Sequence, residues 1–166
     1  LHFAVFDEAA AESVVSQTVN VPGSIDFLHN AGNDFEYLRA QVNAYLFANE
    51  VRDWVLHHHP GYPVIATESA HPIHVNYLTC DGNAWHDGSD GSLHFCASGG
   101  GHPNMAFSSI VYHEYGHRIV EQGGSGQGAY GEGMSDTIAA LIAGDPGSAY
   151  GYFGDCGVPA RTADNT

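Results

Sequence analysis

The sequence predicts an α+β fold: a small mixed β-sheet, a long helix behind it, and two further helices in the C-terminal half. Three observations carry this. Phe35, Leu38, Val42, Tyr45 and Leu46 repeat at helical spacing, continued by Val51 and Val55. Two later helical runs end on glycines, at Gly123-Gly124 and Gly144. Between and before them lie short stretches rich in branched and aromatic residues, bounded by turn residues. With 166 residues, 43% hydrophobic, the chain has material for one core, and residues 1–166 read as a single domain.

In order, Phe3 to Phe6 and Val14 to Val21 read as short strands, with Val21-Pro22-Gly23 as the turn that ends the second. Asn33 or Asp34 is the expected cap of the long helix, and Pro60-Gly61 its stop. His57-His58-His59 then falls at the helix end, where imidazoles suit the dipole. Pro63 to Ala66 and His74 to Thr79 are β-like, Asp81 to Ser92 is a Gly/Asp-rich loop, and Leu93 to Ala97 is a strand closed by Gly99-Gly100-Gly101. The second helix is expected from near Asn104 to Gln122, and the third from Gly131 to near Gly144 after a turn-rich stretch from Ser125. The tail beyond Pro146 is Gly-rich and weakly patterned.

Charge excludes whole classes of partner. Four basic residues, all arginine (Arg39, Arg52, Arg118, Arg161), stand against 19 acidic ones for a formal charge of -15. Such a surface repels a phosphate backbone, so no nucleic acid is expected, and anionic membrane surfaces are disfavoured. No apolar run is long enough to span a bilayer. Cys80 and Cys96 flank one hairpin and can pair in an oxidising compartment, leaving Cys156 free or paired outside the chain. The chain begins at Leu1 without a leader-like stretch, which reads as a processed product or a fragment of a longer protein.

Twelve histidines raise the question of metal. The second helix holds His113-Glu114-Tyr115-Gly116-His117, the H-E-x-x-H pattern. Residues four apart share a helix face, so both imidazoles can reach one ion, and imidazole suits Zn²⁺. Glu114 is turned about 100° from His113 and can face the ion's open position. Chance supplies about 0.04 such patterns at this composition. Glu132, 15 residues after His117, can add a carboxylate from the third helix and leave the fourth position open. Asp136, one turn further, is placed to accept a hydrogen bond from a ligand imidazole. Val120 and Gly123 stand where a metzincin requires Gly and His.

His-Glu-x-x-His followed by Gly-Glu-Gly-x-x-Asp resembles the gluzincin metallopeptidases, most of all the fungalysin and thermolysin branches. Asn43-Ala44-Tyr45 with Ala48-Asn49-Glu50-Val51 is similar to the family's long N-terminal-lobe helix, and Asn83-Ala84-Trp85 to its Asn-Ala-aromatic segment. About residues 35 to 143 can be laid on the pattern. The resemblance implies a zincin-like lobe, an activity of zinc-dependent endopeptidase, and a peptide or protein substrate. It implies His113, His117 and Glu132 as ligands, Glu114 as general base and Asp136 as the partner of His113. Asn83 and Ala84 would bind substrate backbone, and Ile110 would line the pocket after the scissile bond.

The sequence departs from the family in three places. No histidine follows Glu132 to stabilise an oxyanion, so either a second chain or lobe completes the cleft or the enzyme is a reduced or truncated one. The tyrosine between the zinc motifs has no clear counterpart, Tyr130 being two residues before Glu132, and Gly131 stands where thermolysin-type enzymes often carry Asn. Two alternatives arise: a non-catalytic, zinc-retaining structural or surface-assembly module, and a site using Asp136 as third ligand. A Leu93 to Ala97 edge strand would hold substrate by strand addition. Asp87 and Asp90 offer a Ca²⁺ site of weaker pattern. His71, His74, His94 and His102 read as loop or strand residues, and Tyr112 and Tyr115 as packing groups. The acidic, lysine-free composition with a possible disulfide suggests a secreted or extracellular protein.

Overall fold

In the computed structural model, residues 2–19, 22–128 and 130–164 are described. The chain is α+β, with three helices and a small mixed sheet. Strand β1 (Phe3–Asp7) leads to the long helix α1 (Glu36–His58), then to β2 (His71–Tyr77), β3 (Ala84–His86) and β4 (Leu93–Cys96). Helix α2 (Ser108–Gln122), helix α3 (Gly131–Ala143) and a two-stranded ribbon of β5 (Gly147–Ser148) and β6 (Arg161–Thr162) complete it.

The sheet order is β1-β2-β4-β3, with β1, β2 and β4 parallel and β3 antiparallel at one edge. One cluster fills the core: Ala44, Ala48 and Val51 of α1 meet Ile73 and Val75 of β2, Phe95 of β4, and Val111 and Tyr115 of α2. Small residues along the buried stripe of α1 let that helix lie close against sheet and α2. The register between β2 and β4 slips after His74, where Asn76 takes φ 65 while fully buried. Asn tolerates that left-handed backbone, and its side chain donates to Asp7 and Tyr37 and accepts from Asn104. A Cys80–Cys96 disulfide closes the loop that carries β3. Cys156 is free and exposed.

Several expected elements differ. Val14 to Val19 form no strand, because they find no sheet partner, and Val14 is 85% exposed; Leu1, Asn20 and Val21, the last being the first residue of the expected turn, lie outside the described residues. Neither Asn33 nor Asp34 caps α1. Phe35 is the N-cap, without a side-chain cap, and Asn30 reaches both its backbone groups. Residues 63–66 lie within a turn, not a strand, with Val64 at φ 63. Helix α2 starts at Ser108, not Asn104, since the Asn104 amide serves Glu36 and Asn76 while its oxygen accepts from Ala106 N–H. The loop from Asp81 to Ser92 contains β3, so the edge strand beside β4 is β3, and β4 is an interior strand with every residue buried. The weakly patterned tail forms the β5–β6 ribbon. His57 and His58 do end α1, and Gly144 ends α3 in the left-handed conformation.

Candidate metal centre

Helix α2 presents His113 and His117 one turn apart, and α3 begins opposite them with Glu132 in its first turn. The approach depends on Gly116, where a Cβ would lie 2.9 Å from Ser135 Cα, so the helices touch by backbone. Among the described residues, His113, His117 and Glu132 form the group able to hold a metal, with one donor atom from each within 4.8 Å of the others. The two Nε2 atoms lie 3.2 Å apart, and Glu132 places its carboxylate oxygens 3.2 Å from His113 Nε2 and 3.4 Å from His117 Nε2. The imidazoles are sunk (side chains 7% and 12% exposed), whereas the Glu132 side chain is 68% exposed. The ion position is therefore reached from the Glu132 side.

The far ring nitrogens decide which way the lone pairs point. His113 Nδ1 lies 2.7 Å from Asp136 Oδ1, and an ionised carboxylate only accepts, so Nδ1 carries the proton. His117 Nδ1 lies 2.7 Å from Gln127 Oε1, while Gln127 Nε2 donates to the His117 carbonyl at 2.8 Å. Both Nε2 atoms then present lone pairs to one another and to a carboxylate. Three acceptors so close call for a cation.

Burial, with the nearby His117, holds His113 below its ordinary pKa. For Glu132 burial works upward, but His113, and then the hydrogen bond from Arg161, hold it below the usual carboxylate range. Glu114 is buried beside the group; burial first, then the Glu132 charge, push its carboxyl up to about 8, against the opposing hydrogen bond from the His86 backbone N–H. A bound cation would reverse that tendency.

Around the centre opens a cavity of about 540 Å³, which Asn83, Ala84 and Ile110 line along with His113, Glu114, His117, Glu132 and Asp136. Met105, Ile110, Ala149 and Tyr152 contribute apolar lining. Asn83 O accepts from Cys96 N, and Asp87 N donates to Ser92 O, which fixes the hydrogen-bonding alternation along β3. Trp85 faces β4, and Ala84 and His86 turn their backbone groups to the free edge. His86 spends its N–H on Glu114, leaving Ala84 N–H and C=O and the His86 C=O for a visitor.

Four residues here were not singled out from sequence. Arg161 Nη1 reaches Glu132 (3.1 Å) and Asp136 (3.3 Å) from β6, and Gln127 holds His117. His86 stacks on His117 (ring centroids 6.5 Å, 12°). Tyr152 donates to Gly82 O at 2.8 Å, tying the tail to the start of β3. The other expected groups lie apart. Asp87 and Asp90 accept from Ser89 and Ser92 in tight turns and join no three-ligand group among the described residues. His71 and His74 sit on β2, His94 on β4, and His102 forms an isolated bridge with Gly99. Tyr112 donates to Glu50 and Tyr115 to Glu68, both as buried packing groups, and Tyr130 is exposed.

The protein resembles a solved metalloproteinase, the precursor of protealysin from Serratia proteamaculans, with a TM-score of 0.57 and 18% identity. The fold is metallopeptidase-like. The match covers 84% of this chain and 42% of that one, so the chain spans less than half the length of its structural neighbour. No protein-family model and no curated protein matches the sequence. No helix among the described residues is long and apolar enough to cross a membrane.

Proposed function

We propose that this chain is a zinc-dependent endopeptidase of the gluzincin type, with His113, His117 and Glu132 as ligands and Glu114 as general base. The spacing of the three donors carries the reading. Tetrahedral ligands bonded at about 2.0–2.1 Å lie about 3.3–3.4 Å apart; the two Nε2 atoms are 3.2 Å apart, and the Glu132 carboxylate straddles them, with Oε2 3.2 Å from His113 Nε2 and Oε1 3.4 Å from His117 Nε2. Two neutral imidazoles and one carboxylate are also the donor set of hydrolytic zinc sites that keep one position open. When bound, the ion supplies a Lewis acid that polarises the scissile carbonyl and acidifies water.

The remaining work falls to side chains and backbone of this protein. Glu114 takes the proton of the attacking water and returns it to the leaving amine nitrogen. Its hydrogen bond from the His86 backbone N–H holds the carboxylate in place. An extended peptide pairs with Ala84 N–H and C=O as an added antiparallel strand, Asn83 contributes its side-chain amide, and an apolar side chain after the scissile bond enters the part lined by Ile110. Asp136 holds His113, and Arg161 neutralises part of the charge of Asp136 and Glu132. A second lobe or chain would close the cleft. The Cys80–Cys96 bond supports an exported, extracellular setting.

The test is zinc content together with hydrolysis of an unstructured protein, before and after chelation and with Glu114→Gln. Cleavage lost on chelation and restored by zinc, and lost in Glu114→Gln even with zinc present, supports the reading. Cleavage that survives both overturns it, and about one zinc bound without any cleavage selects the non-catalytic module.

A further inference from the structure

We infer that Gln127 is the positioning residue that aims His117 at the metal, and that position 131 is glycine because a side chain there would push Gln127 away. This rests on the zinc reading above. The Gln127 amide makes two bonds to one residue: Nε2 donates to the His117 backbone carbonyl at 2.8 Å, and Oε1 faces His117 Nδ1 at 2.7 Å. A carbonyl only accepts, so the amide cannot be flipped, and its oxygen must face the ring. The proton therefore sits on Nδ1, and the Nε2 lone pair points toward His113 and Glu132. Asp136 does the same for His113 with a charged group. At His117 the acceptor is neutral, so the ring is oriented without adding another carboxylate to Glu114, Glu132 and Asp136.

Gly131 makes room. A Cβ built there lies 2.7 Å from Gln127 Oε1 and 3.3 Å from Gln127 Cβ. Gly131 N–H also donates to the Gln127 carbonyl at 2.7 Å, so the two residues are fixed against each other. As the first residue of α3, Gly131 is at a position where alanine improves helix propensity. The two roles therefore predict opposite results. A helix-only role makes Gly131→Ala neutral or stabilising, and ligand positioning makes it costly for metal.

The experiment measures zinc affinity of the full chain by chelator competition, thermal midpoint without metal, and the His117 tautomer by ¹⁵N–¹H NMR of the metal-free protein. Gln127→Ala and Gly131→Ala should each weaken zinc binding about 10- to 100-fold. Gly131→Ala should leave the metal-free midpoint unchanged or higher. The double variant should be no worse than the poorer single one, since Gly131 acts through Gln127. Gln127→Glu still accepts from Nδ1–H but loses the donation to the His117 carbonyl, so it should recover part, not all, of the affinity lost in Gln127→Ala. His117 should carry its proton on Nδ1 in the parent chain and lose that preference in Gln127→Ala. Unchanged affinity in both single variants, fully additive losses, or an Nε2–H tautomer in the parent chain overturns the inference. A parent chain that binds no zinc overturns the zinc reading instead, and the tautomer then decides the Gln127–His117 bond on its own. Should Gln127→Ala fail to fold, Gly131→Ala and the parent tautomer decide between the two roles.

Discussion

Gly116 of α2 and Ser135 of α3 are in backbone contact: a Cβ on Gly116 would stand 2.9 Å from Ser135 Cα and 3.3 Å from its carbonyl oxygen. That contact sets the separation of the two helices, and with it the distance from Glu132 to the two imidazoles. Gly116→Ala should force the helices apart, costing about 1–3 kcal/mol of stability. Zinc affinity should fall alongside. Thermal denaturation and chelator competition on one preparation check both effects; an alanine variant of normal affinity would separate helix spacing from metal binding.

Glu132 and Asp136 lie on the same helix, but Glu132 faces both imidazoles and Asp136 faces the back of one. Glu132→Ala removes a donor and should weaken zinc by more than the about 10- to 100-fold expected of Asp136→Ala. The reverse order would favour Asp136 as the ligand.

Glu114 donates no atom to the ligand group. Glu114→Gln should keep zinc affinity within about an order of magnitude and cut hydrolysis about 10²- to 10⁴-fold. Equilibrium dialysis beside a cleavage assay reads the two separately.

Below the centre, Glu68 accepts from Arg118 Nη2 at 2.8 Å and lies 2.9 Å from His71 Nδ1, its side chain 8% exposed. Burial alone would raise its carboxyl, but the hydrogen bonds from His71 and Arg118, with their charges, bring it from 4.5 down to about 2. A depressed folded pKa gives stability that is complete above the unfolded value and is lost as pH falls through the folded one. The chain should therefore lose this contribution between about pH 5 and pH 2. Glu68→Gln should be destabilised by about 3–5 kcal/mol near neutrality and show a flatter acid limb. Denaturation midpoints between pH 2 and 7 for both chains check this, and parallel acid limbs would contradict it.

The Cys80–Cys96 bond closes a loop of sequence separation 16. Reduction should remove about 3 kcal/mol of stability, measured by denaturant unfolding with and without a thiol reductant. An unchanged midpoint would mean that packing alone holds the loop.

Local rules made part of this molecule legible. His113 and His117 share a helix face by periodicity alone, and α1 and α3 are bounded by Pro60 and Gly144 through steric effects that act within a few residues. The features that sequence pattern missed depend on distant partners. Strand β3 has three residues inside a stretch of turn-formers, and only pairing with β4 makes it a strand. Arg161 meets Glu132 across 29 residues because β5 and β6 pair, a contact with no periodic trace. Gln127 reads as a turn residue in the sequence; its task depends on the emptiness at Gly131. Asn33 and Asp34 carry the right chemistry for a cap, but the turn built on Asn30 brings Phe35 to that position instead.

Strand β3 exposes only three unclaimed main-chain groups, at Ala84 and the His86 carbonyl. A guest that docks there is read by contour before it is read by chemistry: a coiled segment already using its own amides has nothing to offer such a short rim. Under the proposed activity, the vulnerable stretches of a target are its hinges, frayed ends and unfolded runs, and a tightly wound protein is spared until something else loosens it.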